Sequence, residues 1–245
     1  MNILSIIEKK SNNQELTKEE IYFWVNGYTK QEIPDYQIAA LLMAIKINGM
    51  TDDETYYLTK SYVDSGSTIE FDDVFVVDKH STGGIGDKTS IILAPLMASL
   101  GINVGKLSGR GLGFTGGTID KLESIKGFST SLTQEEFVRN VTEKGISIIG
   151  QIDTLAPADK YIYALRDSTV TSNSLPLICA SILSKKFAVS ADLIMIDIKC
   201  GTGAFMKDLK SAERLAKLMI RIAKKFDRKL SCIITDMSAP LGQQI

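Results

Sequence analysis

A glycine-rich run at residues 78–90, Asp-Lys-His-Ser-Thr-Gly-Gly-Ile-Gly-Asp-Lys-Thr-Ser, has the residue types that a phosphate site requires. An apolar, strand-like segment leads straight into the run, and a helix-like segment follows it. Glycines let the backbone turn tightly and bring amide N–H groups up to an anion, while the next helix adds the positive end of its dipole. One positive charge and three hydroxyl groups come from Lys79, Ser81, Thr82 and Ser90. The run is not a P-loop, because the G-x-x-x-x-G-K-S/T spacing is absent.

His80 is the only histidine in the chain. A lone histidine is more often a surface or structural imidazole than a functional group. Here, however, His80 stands between Lys79 and Ser81 at the predicted end of a strand, which is where parallel α/β sheets bind ligands. This position favours a functional role over a structural one.

A second glycine-rich run follows another strand-like segment, at residues 108–123. Gly111, Gly113 and Gly116 match the G-x-G-x-x-G spacing of dinucleotide-binding folds. A nicotinamide site is disfavoured, because the Gly116-Gly117 pair delays the helix beyond that fingerprint and two phosphate-like loops follow successive strands. Two other interpretations stay open: a second part of the phosphate site, or glycines that serve only tight packing.

Secondary-structure elements must position these loops, and the sequence indicates two kinds of region. The first 65 residues or so read as helical. Capping boxes at residues 17–20 and 51–54 place a Thr hydroxyl and a Glu carboxylate against the free amides of a helix start. The predicted helices cover residues 17–27, 35–48 and 52–63. Residues 64–67, Asp-Ser-Gly-Ser, then break the pattern and predict a hinge or linker.

From residue 74 onwards, strand-like runs alternate with helical segments. The strand-like runs cover residues 74–77, 102–106, 146–149, 193–198 and 230–234. The helical candidates between them cover residues 90–100, 134–144 and 207–226. Such alternation predicts a parallel sheet flanked by helices. Residues 158–186 depart from it and read as two consecutive helices, where an α/β domain could send the chain back to a helical neighbour.

Composition disfavours several classes of protein. Lys plus Arg number 28 and Asp plus Glu number 29, and this balance argues against a general nucleic-acid binder. The three cysteines form no C-x-x-C pair, which argues against a disulfide framework or a zinc site and fits a reducing cytoplasm. No signal peptide is visible, and no apolar run approaches the roughly 20 residues that span a bilayer. We therefore expect a cytoplasmic protein with neither membrane nor nucleic acid as a partner.

The last predicted strand lies close to the end of the chain. Residues 233–236 read as a strand that leads into a loop at residues 237–242, and three residues follow. Parallel sheets are normally covered by the helices that follow their strands. We therefore expect the α/β domain to be incomplete at its C-terminal end.

The run at residues 108–123 resembles the signature of the thymidine and pyrimidine-nucleoside phosphorylase family, and most closely its bacterial pyrimidine-nucleoside type. The resemblance covers essentially the whole chain, and a typical member continues well beyond it. Further similar segments are residues 77–90, 156–160, 166–167, 180–186, 199–206 and 235–237.

The resemblance implies an α/β-class fold with two domains and a cleft between them. A small all-helical domain, residues 1–66 completed by about residues 158–188, would bind the pyrimidine. A mostly parallel-sheet α/β domain, residues 70–157 and 190–245, would bind phosphate. The phosphate positions that carry over are Lys79, His80, Ser81, Ser90, Lys106, Leu107, Ser108 and Thr118. Their lysines would supply charge, while the hydroxyls and loop amides would supply geometry.

The pyrimidine positions that carry over are Arg166, Ser181 and Lys185. Ser181 and Lys185 are four residues apart, so on a helix they share a face and could hydrogen-bond the polar edge of a base. Without the resemblance, Arg166 and Lys185 would be read as solvated helix charges.

The implied reaction is phosphorolysis of uridine, thymidine or deoxyuridine to a free base and a (deoxy)ribose 1-phosphate, the work of a pentosyltransferase. His80, Arg166 and Lys185 would be catalytic. The departing pyrimidine gains negative charge, which Arg166 and Lys185 would stabilise. His80 would donate a proton or a hydrogen bond to the leaving base.

The resemblance also implies inorganic phosphate as co-substrate, no organic cofactor, and a homodimer formed through the helical domain. Bacterial members of the pyrimidine-nucleoside type bind a potassium ion. In this chain its ligands would come from Gly86, Lys88, Leu241 and Gln244.

Two alternatives to an active phosphorylase stay open. An incomplete sheet exposes apolar strand faces, so the chain could be an inactive remnant that only associates with a partner through its helical part. An anthranilate-type phosphoribosyltransferase has a similar architecture, but it needs magnesium and acidic ligands for a pyrophosphate. The Lys-His-Ser run and the signature at residues 108–123 fit phosphorolysis better.

Overall fold

A computed structural model of the chain describes residues 1–111, 116–150 and 152–242. The chain divides into two compact units. The helical unit comprises Met1–Thr68 and Asp153–Ala188, and the α/β unit comprises Ile69–Ile152 and Val189–Ile245. The predicted class, a helical N-terminal domain with a parallel-sheet α/β domain, is confirmed.

The described residues form ten α-helices and five β-strands. In chain order these are α1 Ile3–Ser11, α2 Lys18–Thr29, α3 Asp35–Asn48, α4 Asp52–Asp64, β1 Val76–Ser81, α5 Thr89–Ser99, β2 Asn103–Leu107 and α6 Thr118–Glu123. They continue with α7 Gln134–Lys144, β3 Ile146–Ile149, α8 Pro157–Ser168, α9 Leu175–Phe187, β4 Leu193–Cys200, α10 Leu209–Lys225 and β5 Leu230–Asp236. Among the described helices, none is long and apolar enough to cross a bilayer.

The helical unit is built around one apolar core. Its largest fully buried side chain is Trp24, which packs with residues from α1 to α4 and from α8 and α9. Full burial of one large apolar side chain contributes about 1.5–3 kcal/mol. Capping boxes at Thr17 and Thr51 are confirmed, with each Thr hydroxyl accepting from the amide three residues later. The helices of this unit are thus fixed at their starts by local hydrogen bonds and held together by burial.

The sheet of the α/β unit is entirely parallel, with strand order β3-β2-β1-β4-β5. The chain runs outward from β1 through β2 to β3 on one side, and from β4 to β5 on the other. The direction of winding therefore reverses between β1 and β4. Ligands of open α/β sheets bind at such a switch point, outside the carboxyl ends of the strands.

Strand β1 differs from its prediction. The apolar run predicted a strand at residues 74–77, whereas β1 covers Val76–Ser81 and pairs with β4 as far as Ser81 opposite Asp197. Apolar patterning missed this extension because the pairing is made by backbone groups, while the side chains of the added residues are polar. Lys79, His80 and Ser81 are consequently strand residues, and they lie at the carboxyl end of β1, the edge at which open α/β sheets generally bind ligands.

Helix α1 is a second difference, because no helix was predicted before residue 17. Asn2 caps it by accepting from the amide of Leu4, and Ile3 and Ile6 are buried in the core of the helical unit. The apolar run of α1 is short and polar residues follow it, so the sequence pattern did not indicate an apolar helix face. Its packing supplies most of its stability, since an isolated helix of this length is marginal in water.

Candidate active site

Three loops of the α/β unit are joined by backbone hydrogen bonds just beyond the carboxyl ends of β1, β4 and β5. The amide of Ile85 donates to the carbonyl of Gly203 at 2.9 Å, and the amide of Gly203 donates to the carbonyl of Met237 at 2.9 Å. A Cβ on Gly203 would lie 2.5 Å from that carbonyl oxygen, so only glycine permits this approach. The sequence therefore builds one continuous rim at the switch point from three separate segments.

Lys79 is held at this rim by a buried ion pair. Its Nζ lies 2.8 Å from Asp197 Oδ2 and donates to Ser90 Oγ at 3.2 Å. The three residues come from β1, β4 and α5, and all are at least nine-tenths buried. A lysine ammonium has three N–H donors, so a third remains to contact an anion.

A second lysine, Lys199, shares the same carboxylate. Its Nζ lies 2.9 Å from Asp197 Oδ2 and 3.8 Å from Asp87 Oδ1, and it also donates to Thr235 Oγ1 at 3.0 Å. Thr235 in turn donates to Asp197 Oδ1 at 2.6 Å. Two lysines and two aspartates thus cancel in charge beneath the rim. Such paired burial is required, because an isolated buried charge costs several kcal/mol.

Hydrogen bonds hold the pKa of Asp197 below its usual range. Burial acts to raise this pKa, but the donors Lys199, Lys79 and Thr235 outweigh burial. A depressed carboxyl pKa contributes stability that is complete above the unfolded value of about 3.9 and is lost as the pH falls through the folded value. The network therefore stabilises the α/β unit at neutral pH and not in acid.

Replacing Asp197 by Asn should destabilise the α/β unit at pH 7, since both lysines lose their shared carboxylate. The difference in melting temperature between the unchanged chain and Asp197→Asn should stay constant from pH 7 to about 5 and narrow as the pH falls further towards 2, because this carboxylate binds a proton more readily in the unfolded chain, where its pKa is about 3.9, than in the folded one. Scanning calorimetry across this range measures it. A difference that stays constant with pH would contradict the assigned ion pairs.

Ser81 is tied to Asp87 rather than directed freely outward. Ser81 Oγ donates to Asp87 Oδ2 at 2.5 Å and accepts from the amide of Gly83 at 3.1 Å. Asp87 Oδ1 accepts from the amide of Thr89 at 3.1 Å. Asp87 therefore joins the end of β1 to the start of α5 and fixes the Ser81 hydroxyl.

The second glycine-rich run lies beside the first. Lys106, only 1% exposed, donates from Nζ to the carbonyl of Lys79 at 2.6 Å, and Lys121 Nζ donates to the carbonyl of Asp87 at 2.5 Å. These two contacts bring β2 and α6 against β1 and its loop. A Cβ on Gly117 would lie 2.3 Å from the amide nitrogen of Gly111, so tight packing accounts for this glycine.

The remaining phosphate candidates occupy the same edge of the sheet. Leu107 ends β2, and Ser108 follows it, with its amide donating to the carbonyl of Ile149 at 2.9 Å. Thr118 is the first residue of α6. His80 lies in β1 opposite Ile196. Residues 112–115 of the signature lie outside the described residues.

The predicted pyrimidine residues all belong to the helical unit. Lys185 is buried in α9, donates to Ser181 Oγ at 3.0 Å and forms an ion pair with Asp159 Oδ2. Burial lowers the pKa of Lys185, and the charge of Asp159 acts in the opposite direction. The prediction that Ser181 and Lys185 share one helix face is confirmed.

Arg166 also has a structural role, which the sequence did not indicate. Its Nη1 donates to the carbonyl of Leu177 and its Nη2 to the carbonyl of Ser172, each at 3.0 Å. Arg166 is therefore not a solvated helix charge, since it is 3% exposed and closes the connection from α8 to α9. Its Nε finds no hydrogen-bond partner among the described residues.

Arg166 and Lys185 converge on one aromatic ring. The guanidinium lies 5.8 Å and the ammonium 5.6 Å from the ring centroid of Tyr163, distances that suit cation–π attraction. Burial raises the pKa of the Tyr163 phenol to about 12. The helical unit thus gathers two cations, a hydroxyl and an aromatic face into one polar cluster.

Three of the four predicted potassium positions also lie together. The amide of Leu241 donates to the carbonyl of Gly86 at 3.3 Å, and Lys88 Nζ donates to the carbonyl of Leu241 at 3.1 Å. Gln244 lies outside the described residues. The ammonium of Lys88 already donates to the carbonyl oxygen of Leu241, so these groups are a poor fit to the oxygen shell of a potassium ion. Within the described ranges, no three His, Cys, Asp or Glu side chains could share a metal ion either.

Several residues of these clusters were not predicted as site residues. Asp87, Asp159 and Lys199 all stand inside segments that carry the family resemblance, yet no spacing rule marked them. Their partners come from distant parts of the chain: Lys199 joins Asp87 across more than 100 positions. Only a tertiary structure brings such pairs together.

Comparison with known proteins places these features in a family. Residues 73–245 match the model of the glycosyl transferase family a/b domain, and residues 4–66 match the model of its helical bundle domain. The chain resembles anthranilate phosphoribosyltransferase from Thermus thermophilus in fold, with a TM-score of 0.72 at 16% identity, covering 96% of this chain and 67% of that one.

Curated relatives share far more sequence. The chain is 54% identical over 247 residues to pyrimidine-nucleoside phosphorylases of Staphylococcus epidermidis and Geobacillus stearothermophilus, and 54% identical over 244 residues to that of Bacillus subtilis. These alignments take in 99–100% of the chain but only 56–57% of each relative's length. By its two matching domains, the chain belongs to the glycosyl transferase family that pairs a helical bundle domain with an α/β domain.

Proposed function

We propose that this chain carries the phosphate and base sites of a pyrimidine-nucleoside phosphorylase. The observation that carries the proposal is the placement of Lys79, Ser81 and Ser90 at the switch point of the parallel sheet, joined by buried ion pairs and hydrogen bonds. The 54% identity to curated pyrimidine-nucleoside phosphorylases supports the same reaction.

Phosphate binding falls to the α/β unit. Lys79 and Lys106 provide positive charge, and Ser81, Ser90, Ser108 and Thr118 provide hydroxyls, with Leu107 contributing backbone groups. The C-terminal edge of the sheet is the location that favours anions in this class of fold. Because Lys79 and Lys199 are already balanced by Asp87 and Asp197, the positive charge in excess that a bound phosphate would meet comes from Lys106.

Base binding falls to the helical unit. Arg166, Ser181 and Lys185 would hydrogen-bond the polar edge of the pyrimidine. In the reaction, a phosphate oxygen forms a bond to the anomeric carbon while the bond from that carbon to the base nitrogen breaks. The electron pair leaves with the base, and a cation at its carbonyl oxygens stabilises it. His80 supplies the hydrogen bond or proton that the leaving base requires.

The direct test follows uridine cleavage by the purified chain with and without sodium phosphate. Uracil and ribose 1-phosphate should appear in equal amounts only when phosphate is present. A chain that binds phosphate but releases no uracil would be the associating remnant. Consumption of phosphoribosyl pyrophosphate with magnesium would instead assign it to the phosphoribosyltransferases, whose fold it shares.

Replacing His80 by Ala should lower kcat for uridine phosphorolysis by about 10²- to 10⁴-fold, the usual contribution of general acid assistance. His80→Asn keeps an N–H donor but has no proton to transfer, so its kcat should fall between those of the unchanged chain and His80→Ala. Steady-state kinetics with both variants measures the effect. Near-normal turnover of His80→Ala would remove the residue from the mechanism.

We also propose a homodimer formed through the helical unit, which sedimentation velocity tests directly. Because Lys88 donates to the carbonyl of Leu241, the residues predicted for potassium fit the ion poorly, and turnover in potassium chloride should equal turnover in sodium chloride.

A further inference from the structure

We infer that Ser81 and Asp87 make the phosphate site selective for oxyanions that carry a hydroxyl group, such as phosphate and arsenate, over fully deprotonated ones such as sulfate. The inference rests on the proposed phosphate site and adds the chemical feature that this site recognises. It assigns Asp87 as a positioning residue that acts through Ser81.

The Ser81 hydroxyl has one proton, and Asp87 is positioned to accept it. Asp87 Oδ2 lies 2.5 Å from Ser81 Oγ, and the same carboxylate accepts the amide of Thr89 and lies 3.8 Å from the ammonium of Lys199. An ionised carboxylate has no proton, so it can only accept hydrogen bonds. Ser81 must therefore be the donor, and its single proton is committed to Asp87.

With its proton committed, the Ser81 hydroxyl can contact a ligand only as a hydrogen-bond acceptor. A hydroxyl oxygen has two lone pairs, and one of them accepts the amide of Gly83 at 3.1 Å. The other lone pair is left to face the anion. A lone pair repels a bare oxyanion oxygen but accepts a hydrogen bond from a P–OH group. Monohydrogen phosphate carries one such group near neutral pH, whereas sulfate carries none.

Ser90 provides a matched contrast within the same site. Its Oγ accepts from Lys79 Nζ at 3.2 Å, which leaves its own proton to donate to an anion. A donor serves phosphate and sulfate alike. The two serines, close in chemistry and joined by one network, should thus have different effects on selectivity.

The test is isothermal titration calorimetry of the whole chain with sodium phosphate, sodium arsenate and sodium sulfate at one pH. For Ser81→Ala, the ratio of the sulfate Kd to the phosphate Kd should fall by about 10-fold or more, the size of one hydrogen bond to a charged group. Asp87→Asn should lower this ratio as well, because its amide can donate to Ser81 and free the hydroxyl proton for sulfate. Ser90→Ala should weaken both anions and leave the ratio unchanged.

Each other outcome is informative. If Ser81→Ala and Ser90→Ala change the ratio equally little, Ser81 is an ordinary donor and the inference is overturned. Ser81→Thr retains the hydroxyl and should retain the ratio; loss of selectivity in this variant would also overturn the inference. If the unchanged chain binds no phosphate at all, the proposed phosphate site itself fails, which is a separate result. Circular dichroism of each variant shows whether it is folded, and Ser81→Ala leaves no buried charge unpaired.

Discussion

Replacing Lys185 by Met should lower kcat/KM for uridine phosphorolysis by at least about 100-fold, comparable to the loss of one group that stabilises charge in a transition state. Methionine is close in size and apolar, so it fills the space in α9 without the ammonium. In the proposed reaction, the leaving pyrimidine would then lack a cation that Ser181 and Asp159 hold in place. Initial rates at varied uridine concentration, with saturating phosphate, measure the change.

The same substitution leaves Asp159 buried without its cation, and this effect has to be separated from catalysis. Removing one partner of a buried ion pair destabilises a protein by about 3–5 kcal/mol. The double variant Lys185→Met with Asp159→Asn removes both charges and should recover most of the lost stability. Its activity should remain low. Recovery of activity together with stability would mean that Lys185 acts only in folding.

Replacing Lys10 by Met should destabilise the helical unit by about 3–5 kcal/mol, because it leaves the carboxylate of Glu54 without its buried cation. Lys10 Nζ lies 2.7 Å from Glu54 Oε1, and the two side chains are 3% and 1% exposed. Glu54 also accepts from the amides of Leu16 and Thr51, so this carboxylate joins α1 to the start of α4. Urea denaturation followed by fluorescence reports on this unit alone, because Trp24 is the only tryptophan and lies in its core.

Lys60 offers a control in the same unit. Its ion pair with Asp64 is solvent-exposed, at 39% and 38%, and spans four residues of α4. Exposed pairs of this kind contribute about 0–1 kcal/mol. Lys60→Met should therefore shift the urea midpoint very little. Equal shifts for Lys10→Met and Lys60→Met would contradict the special role of the buried pair.

The sequence predicted helix ends correctly where capping residues and glycines next to the helix determine them. The capping box at Thr133 and the left-handed Gly145 bound α7 at the predicted residues, 134–144. Helix α3 also has its predicted bounds, Asp35–Asn48. Helix α7 is bounded by its capping box and Gly145, and α3 lies between Pro34 and the positive-φ Gly49, so a few neighbouring residues locate both helices.

The network around Asp197 could not be predicted in the same way. Asp197 and Lys199 sit in a strand whose neighbours are apolar, and nothing in that run tells which side chains face Lys79. The strand order β2-β1-β4 decides it, because β4 lies next to β1 although β2 and β3 intervene in sequence. Spacing rules identify loops that can hold an anion, but the charges that orient those loops depend on sheet topology.

The helical unit is discontinuous in sequence, and this has a consequence for synthesis on the ribosome. Helices α1–α4 emerge first, yet Ala158, Ile162, Leu177 and Ala180 of α8 and α9 belong to the same apolar core. A nascent chain cannot close that core until translation has passed residue 188, and most of the sheet strands emerge in the interval. Partly made chains expose apolar surface and attract chaperones or aggregate. Ribosome pausing between β3 and α9 should thus prolong the stage at which the nascent chain is most prone to aggregate.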